Sequence, residues 1–295
     1  MANDNKVGIL IILGIVAIAL LGGSKGPQAN GLISSGTPTP EQKEANIQQN
    51  IAQAQAQVED LKRQIQLEED KKTQSEYKGM VNIYFINRSS NPSQEYVAIR
   101  ANISGTRTIP VTGWTLKSIS SGTSVTIPKA SYLYFANSVN SEEDIYLNSN
   151  DTLYLISGLS PIGVSFKNNK CSGYLNQFQT FVPYLGSSCP APRDENLYSI
   201  PKTPVNDVCF DYIESAPNCR IKTESAPANW SSECIDFVYN KINYPSCVNI
   251  HRGDKDFYGN EWRVYLRYTD RIWKDSREHI VLYDNVGKIV DEIKY

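Results

Sequence analysis

Glu95–Leu116, EYVAIRANISGTRTIPVTGWTL, is the stretch whose reading decides the fold. Tyr96, Val97 and Ile99 are strand formers, because branched and aromatic side chains fit a pleated, half-buried surface. Asn102 to Pro110 is polar and contains Gly, the composition of a connection. Gly113 lets the backbone turn beside a large indole, and Trp114-Thr115-Leu116 begins a second strand. Trp114 has the largest side chain here to bury, so it is the expected core anchor.

Outward from that pair the chain keeps the same rhythm. Val81–Ile86 (VNIYFI) precedes it, with Ile83 and Phe85 alternating. Val125–Ile127, Tyr132–Phe135, Ile145–Leu147 and Leu153–Ile156 follow as short apolar runs between turn residues. Many short strands with frequent turns are the signature of a sandwich.

The order of these pieces resembles the lamin-tail domain in its prokaryotic form. Glu-Tyr-Val-x-Ile at 95–99, Gly113-Trp114-x-Leu116, Ile127-Pro128 and Asn150-Asp151-Thr152-Leu153-Tyr154-Leu155 carry the resemblance, over about residues 80–170. It implies an immunoglobulin-like β-sandwich used for binding and assembly, with no active site to carry over. The expected fold class is therefore mainly β: a lamin-tail-like sandwich with a cysteine-rich insertion, preceded by a transmembrane helix and a coiled-coil helix.

The closing residues return to strand patterning. Trp262–Leu266 alternates, and His279–Tyr283 and Lys288–Tyr295 flank Asp284-Asn285-Val286-Gly287, a good hairpin turn. This finish is similar to that of lamin-tail domains. Residues 257–295 are thus expected to complete the sandwich begun at 80–170, since a sandwich lacking its last strands leaves open edges.

All six cysteines, Cys171, Cys189, Cys209, Cys219, Cys234 and Cys247, fall inside residues 171–256. An even, clustered set reads as a disulfide framework, and disulfides persist in oxidising compartments. No Cys-x2-Cys pair exists, and His251 is the only nearby histidine, which argues against structural zinc. Six cysteines allow 15 pairings. Cys171–Cys189, Cys209–Cys247 and Cys219–Cys234 is the arrangement that flanks the one helix expected here, from Ser231 or Ser232 through Lys241.

The N-terminal third is organised differently. Val7–Gly22 is uncharged and apolar, 16 residues that as a helix span roughly 24 Å. Residues 1–23 therefore read as a membrane anchor or a signal segment, placing the cysteine-bearing bulk outside the cytoplasm. Residues 24–40, rich in Gly, Ser, Thr and Pro, read as a flexible linker. Residues 41–77 are rich in helix formers. Ile47, Ile51, Ala54, Val58, Leu61 and Ile65 are spaced by 4, 3, 4, 3 and 4 residues, the heptad spacing of a coiled coil. Self-association into a homo-oligomer is the expected use of so narrow a stripe.

Chemistry is sparse. The net charge is −2, so no global basic field attracts nucleic acid. His251 and His279 are the two histidines. His279 is expected on a strand surface, and His251-Arg252-Gly253-Asp254-Lys255-Asp256 as a polar loop whose Arg-Gly-Asp triplet is a chance occurrence. Glu142–Asp144 and Asn148–Asp151 are rich in oxygen ligands but lack the calcium-loop spacing. Asn87, Asn102, Asn150 and Asn229 begin Asn-x-Ser/Thr triplets. The sequence thus assigns no catalytic residue, no cofactor and no metal. It points to a membrane-tethered, extracytoplasmic structural or interaction protein that binds a surface protein or glycan. The competing readings are a secreted form, and an extracytoplasmic hydrolase or accessory protein using the His251 loop with Asp254 and Asp256.

Overall fold

A computed structural model of the chain describes residues 39–135 and 138–295. The anchor-or-signal segment at 1–23, with Val7–Gly22, and most of the 24–40 linker lie outside the described residues. Among the described residues no helix is long and apolar enough to cross a membrane. Two compact units follow one another, one ending at Thr73 and one running Gln74–Tyr295.

The first unit holds helix α1 (Pro40–Thr73). Pro40 at its first position is tolerated because that N–H has no helical partner to lose. Lys62 and Lys71 reach back to Glu59 and Glu68, both at 2.8 Å. These pairs are exposed and screened by solvent, so they add little to the helix. The helix ends at Thr73, not at residue 77 as the sequence suggested. Ser75 N–H instead donates to Ile289 O (2.8 Å), and Tyr77 lies with its ring centroid 5.3 Å from that of Trp114. Burying an aromatic ring against the indole outweighs one more turn of polar helix.

The second unit is β-rich. Its strands are β1 (Val81–Asn87), β2 (Tyr96–Ala101), β3 (Ile109–Pro110), β4 (Thr115–Ser118), β5 (Ser124–Thr126), β6 (Tyr146–Leu147), β7 (Thr152–Ile156), β8 (Phe166–Asn169), β9 (Tyr258–Tyr265), β10 (His279–Tyr283) and β11 (Ile289–Lys294). They form a five-stranded sheet β1-β2-β7-β9-β8, a four-stranded sheet β11-β10-β4-β5 and a two-stranded sheet β3-β6. One apolar cluster joins Val97, Ile99, Leu153 and Trp262 of the first sheet to Leu116, Ile280 and Leu282 of the second, with Trp114 only 1% exposed among them. Gly113 precedes that indole at φ +84°, where a Cβ would also lie 2.8 Å from Asn285 Oδ1. A side chain there is therefore disfavoured twice, by conformation and by space.

The last three strands pair with the earlier ones. β9 runs parallel to β7 and antiparallel to β8, and β10 lies between β4 and β11. Three of the four outer edges of the two larger sheets are occupied. Asp291 Oδ2 accepts the Ile83 N–H of β1 (2.6 Å), Gln74 bridges to Ile289 of β11, and Ser131 bridges to Phe166 of β8. Such covers block edge-to-edge pairing with other chains.

Tyr132–Phe135 does not form the strand its composition suggested. The Tyr132 ring stands edge-on to Trp262 (4.8 Å), and Tyr134 O accepts from Tyr244 Oη (3.0 Å). These rings are drawn into neighbouring clusters, so tertiary packing overrides strand propensity.

The chain leaves the five-stranded sheet after Asn169 and re-enters at Tyr258, which are register partners. Lys170 N–H donates to Phe257 O (2.9 Å) at the base. The excursion between them contains helices α2 (Asp207–Ser215), α3 (Ser232–Asp236) and α4 (Tyr244–His251), with a π-helical turn at Phe237–Lys241. Ser231 caps α3 by accepting from Cys234 N–H (3.2 Å), and Asn243 caps α4 by accepting from Ser246 N–H (2.9 Å).

Three disulfides form, and their partners differ from those the sequence suggested. They are Cys171–Cys247, Cys189–Cys219 and Cys209–Cys234. The reason is the helix count. One helix was expected and three are present, so Cys209 on α2 faces Cys234 on α3, and Cys247 on α4 is left to meet Cys171 at the base. The bridges lie in a second apolar cluster with Ile213, Phe237, Val238 and Val248. This excursion has a core of its own in addition to its staples.

Candidate functional site: an aromatic strip on the five-stranded sheet

The outer face of the five-stranded sheet carries a row set by register. Phe85 of β1 pairs with Ala98 of β2, Ala98 with Tyr154 of β7, and Tyr154 with Arg263 of β9. Side chains alternate along strands, so register partners share one face. Ala98 is too small to fill its place. Tyr96 covers it, with ring centroids 6.0 Å from Phe85 and 5.5 Å from Tyr154.

A bulge between Ile83 and Phe85 adds Tyr84 to the exposed side. The Arg100 guanidinium sits 4.0 Å from the Tyr84 ring centroid, and that of Arg263 sits 4.4 Å from the Tyr154 centroid. Tyr84 is 59% exposed and Phe85 49%. Burial raises the Tyr96 and Tyr154 phenols above their ordinary value, with Arg263 pulling Tyr96 slightly back. Both therefore stay neutral hydroxyls at any physiological pH.

Arg263 closes the other end of the row. It is 1% exposed and donates to Pro183 O (2.6 Å), Tyr184 O (3.5 Å) and Glu261. It fastens the Phe181–Leu185 segment over that end of the face, where Phe166, Phe181 and Leu185 form a small apolar cluster. The strip is thus covered near β8 and β9 and open near β1 and β2.

His251 is the last residue of α4 and does not lie in a loop. Both ring nitrogens are engaged: Nδ1 with Asp254 Oδ2 and Nε2 with Glu195 Oε1, each at 2.9 Å. Lys170 Nζ binds the same Asp254 (2.9 Å) and Asp256 (2.8 Å). Asp254, the acid of the Arg-Gly-Asp triplet, is therefore occupied within its own fold. Burial opposes charge on the imidazole. The hydrogen bonds the ring donates to Glu195 and Asp254 outweigh it, so the His251 pKa is raised above 6.5. A ring with both nitrogens engaged by carboxylates has no free lone pair aimed at a substrate proton. Among the described residues no cluster of His, Cys, Asp and Glu could hold a metal ion.

The raised pKa has a stability consequence. The unfolded ring titrates near its ordinary value, so the clamp's contribution is fully present below about pH 6.5. It is lost as pH rises through the higher folded value. Urea midpoints of the wild type and His251→Gln should therefore differ most below about pH 6.5 and draw together as the pH is raised. A gap that widens with pH would reverse the sign and remove the clamp.

Glu195 also lines an open cleft of about 830 Å³ with Leu197, Tyr198, Ile200 and Phe210. No nucleophile paired with a base lines it. The other sites raised from sequence are likewise occupied. Asp144 pairs with Lys129 (3.3 Å), and Asp151, buried, with Lys167 (3.3 Å). His279 Nε2 meets Glu292 Oε2 at 2.7 Å.

The aromatic strip was missed in the sequence because Phe85, Tyr96, Tyr154 and Arg263 lie in four separate strands, at successive intervals of 11, 58 and 109 positions. The available signal was the pair Tyr84-Phe85, two large rings side by side where strict alternation allows one outward. No protein-family model matches the chain, and neither does any curated protein or solved structure. The geometry carries the functional reading.

Proposed function

We propose that this chain is a membrane-tethered, extracytoplasmic interaction protein that presents a lamin-tail-like, immunoglobulin-like sandwich on a coiled-coil stalk. The strip of Tyr84, Phe85, Tyr96, Tyr154 and Arg100 is its docking face. That face is the observation that carries the reading: exposed rings and an arginine concentrated at the open end of one sheet. Aromatic and Arg side chains are the residues that dominate protein–protein contacts. Three disulfides suit a compartment outside the cytoplasm.

The partner is a protein surface and not a glycan. Sugar rings stack best on coplanar aromatic faces. Here Phe85 is tilted 46° to Tyr96, and Tyr96 stands 82° to Tyr154. Tilted rings leave pockets between them that apolar side chains fill.

A photo-crosslinking phenylalanine analogue in place of Tyr84, in the full chain in its own cell, should give one protein adduct. The same analogue at Ile119, exposed on the other sheet's side, should give none of it. The purified adduct partner should bind Phe85→Ser at least about tenfold more weakly than wild type, the loss of about 1.4 kcal/mol expected for a contact residue. Unchanged affinity, or an adduct with polysaccharide alone, would overturn the proposal.

A further inference from the structure

We infer that α1 pairs in parallel with α1 of a second copy, forming a two-stranded coiled coil. This rests on the stalk reading above and gives the stalk its partner, number and direction.

The apolar stripe of α1 is uncovered in the single chain. Ile47 is 57% exposed, Ile51 44%, Leu61 40% and Ile65 42%. An isolated helix gains nothing from aligning such residues every 3.5 positions, whereas a supercoiled pair buries them at each turn. Ile51, Val58 and Ile65 occupy the a positions of the repeat, and Ile47, Ala54 and Leu61 the d positions. β-branched residues fill all three a places, and the d places hold Leu61, the small Ala54 and only one Ile; β-branched a with Leu at d favours two parallel strands, whereas higher assemblies carry Ile at d throughout.

The flanks say which partner fits. Gln48, Gln55, Asn50, Gln57 and Gln64 fill five of the six e and g places between Ile47 and Ile65, and Lys62 takes the sixth, where a parallel second copy sets the neutral Gln57 against it. Partner choice between unlike helices is set by complementary charges at those places. Neutral amides neither select an unlike helix nor repel a like one, so a second copy of this chain is the matching occupant. Glu68 and Lys72 take the next d and a places. In a parallel pair they face their own kind, which ends the seam one to two turns before Gln74 and lets the two following units part. Two docking strips would then be held on one stalk, and a partner with two sites would bind with added effective concentration.

Ile51→Cys in the full, detergent-solubilised chain tests this directly. The six native cysteines are all bridged, so the new thiol is the one free thiol, and Ile51 is exposed enough that the helix tolerates the change. Light scattering of the wild type should give twice the chain mass. Ile51→Cys and Leu61→Cys should each run largely as disulfide-linked dimers on non-reducing gels. Arg63→Cys, on the outer side of the helix, should not. An antiparallel pair would bring Ile51 against Leu61, so cross-linking only in the Ile51→Cys/Leu61→Cys double variant would overturn the direction. A mass of three or four chains would overturn the number, and a monomer the pairing itself. None of these readouts depends on the aromatic strip, so loss of the docking result leaves this one standing, and the reverse.

Discussion

Replacing Cys171 and Cys247 together by Ser should lower the unfolding free energy by about 4 kcal/mol, the largest loss of the three bridges. The bridge closes 76 residues, against 30 for Cys189–Cys219 and 25 for Cys209–Cys234. In the chain-entropy model the corresponding stabilisations are about 4.5, 3.6 and 3.5 kcal/mol, through restriction of the unfolded chain. Position adds to length. Cys171 follows Lys170, whose N–H closes the base on Phe257 and whose ammonium holds Asp254 and Asp256. Without the cross-link, those surface ion pairs are too weak to hold the excursion shut. Urea unfolding of the three Cys→Ser double variants under non-reducing conditions ranks them. If Cys171→Ser/Cys247→Ser is the mildest, the bridge does not govern the base.

Glu95→Ala should cost about 2–4 kcal/mol, the penalty of leaving several buried donors without their charged acceptor. Glu95 is 0% exposed. Its carboxylate accepts from Ser157 Oγ (2.6 Å), Ile272 N–H (2.8 Å) and Trp273 N–H (3.2 Å), with Arg271 Nε at 3.7 Å. It therefore holds the connection between β9 and β10 against the start of β2. Alanine leaves those donors buried and unpaired. Glu95→Gln retains one accepting oxygen and should lose roughly half as much. Hydrogen exchange gives the local check: protection of the Ile272 and Trp273 amides should fall in Glu95→Ala well before that of Leu153 or Val97. Uniform loss across the sheet would mean that Glu95 is not specific to this connection.

Much of the strand pattern was legible in short range. β1, β2, β7, β10 and β11 each read from branched and aromatic residues between turn formers, and the Asp284–Gly287 turn from its composition. Gly287 sits there at φ +79°, and Asp284 Oδ1 accepts from Val286 and Lys288 N–H. β8 was not legible, since Phe166-Lys167-Asn168-Asn169 is polar after its first residue. It becomes a strand because β9 supplies its partner. α4 was hidden by its Pro, Asn and Cys, and α2 by its short length and its Val, Cys, Phe and Tyr, and both are held by disulfides and packing more than by propensity. Of the candidate site, Tyr84 and Phe85 were visible as residues, but not their alignment with Tyr154 and Arg263.

By itself the sequence determined the local choices: where strands and turns recur, that the cysteines fall in one window, and that α1 carries a heptad stripe. These follow from side-chain shape and spacing within a few residues, which act before any long-range contact forms. Only the tertiary structure decided which cysteine meets which, where Tyr77 leaves the helix, and which strand lies beside which. Those outcomes turn on pairings between residues tens to hundreds of positions apart, and such pairings are chosen by what the assembled core can bury together.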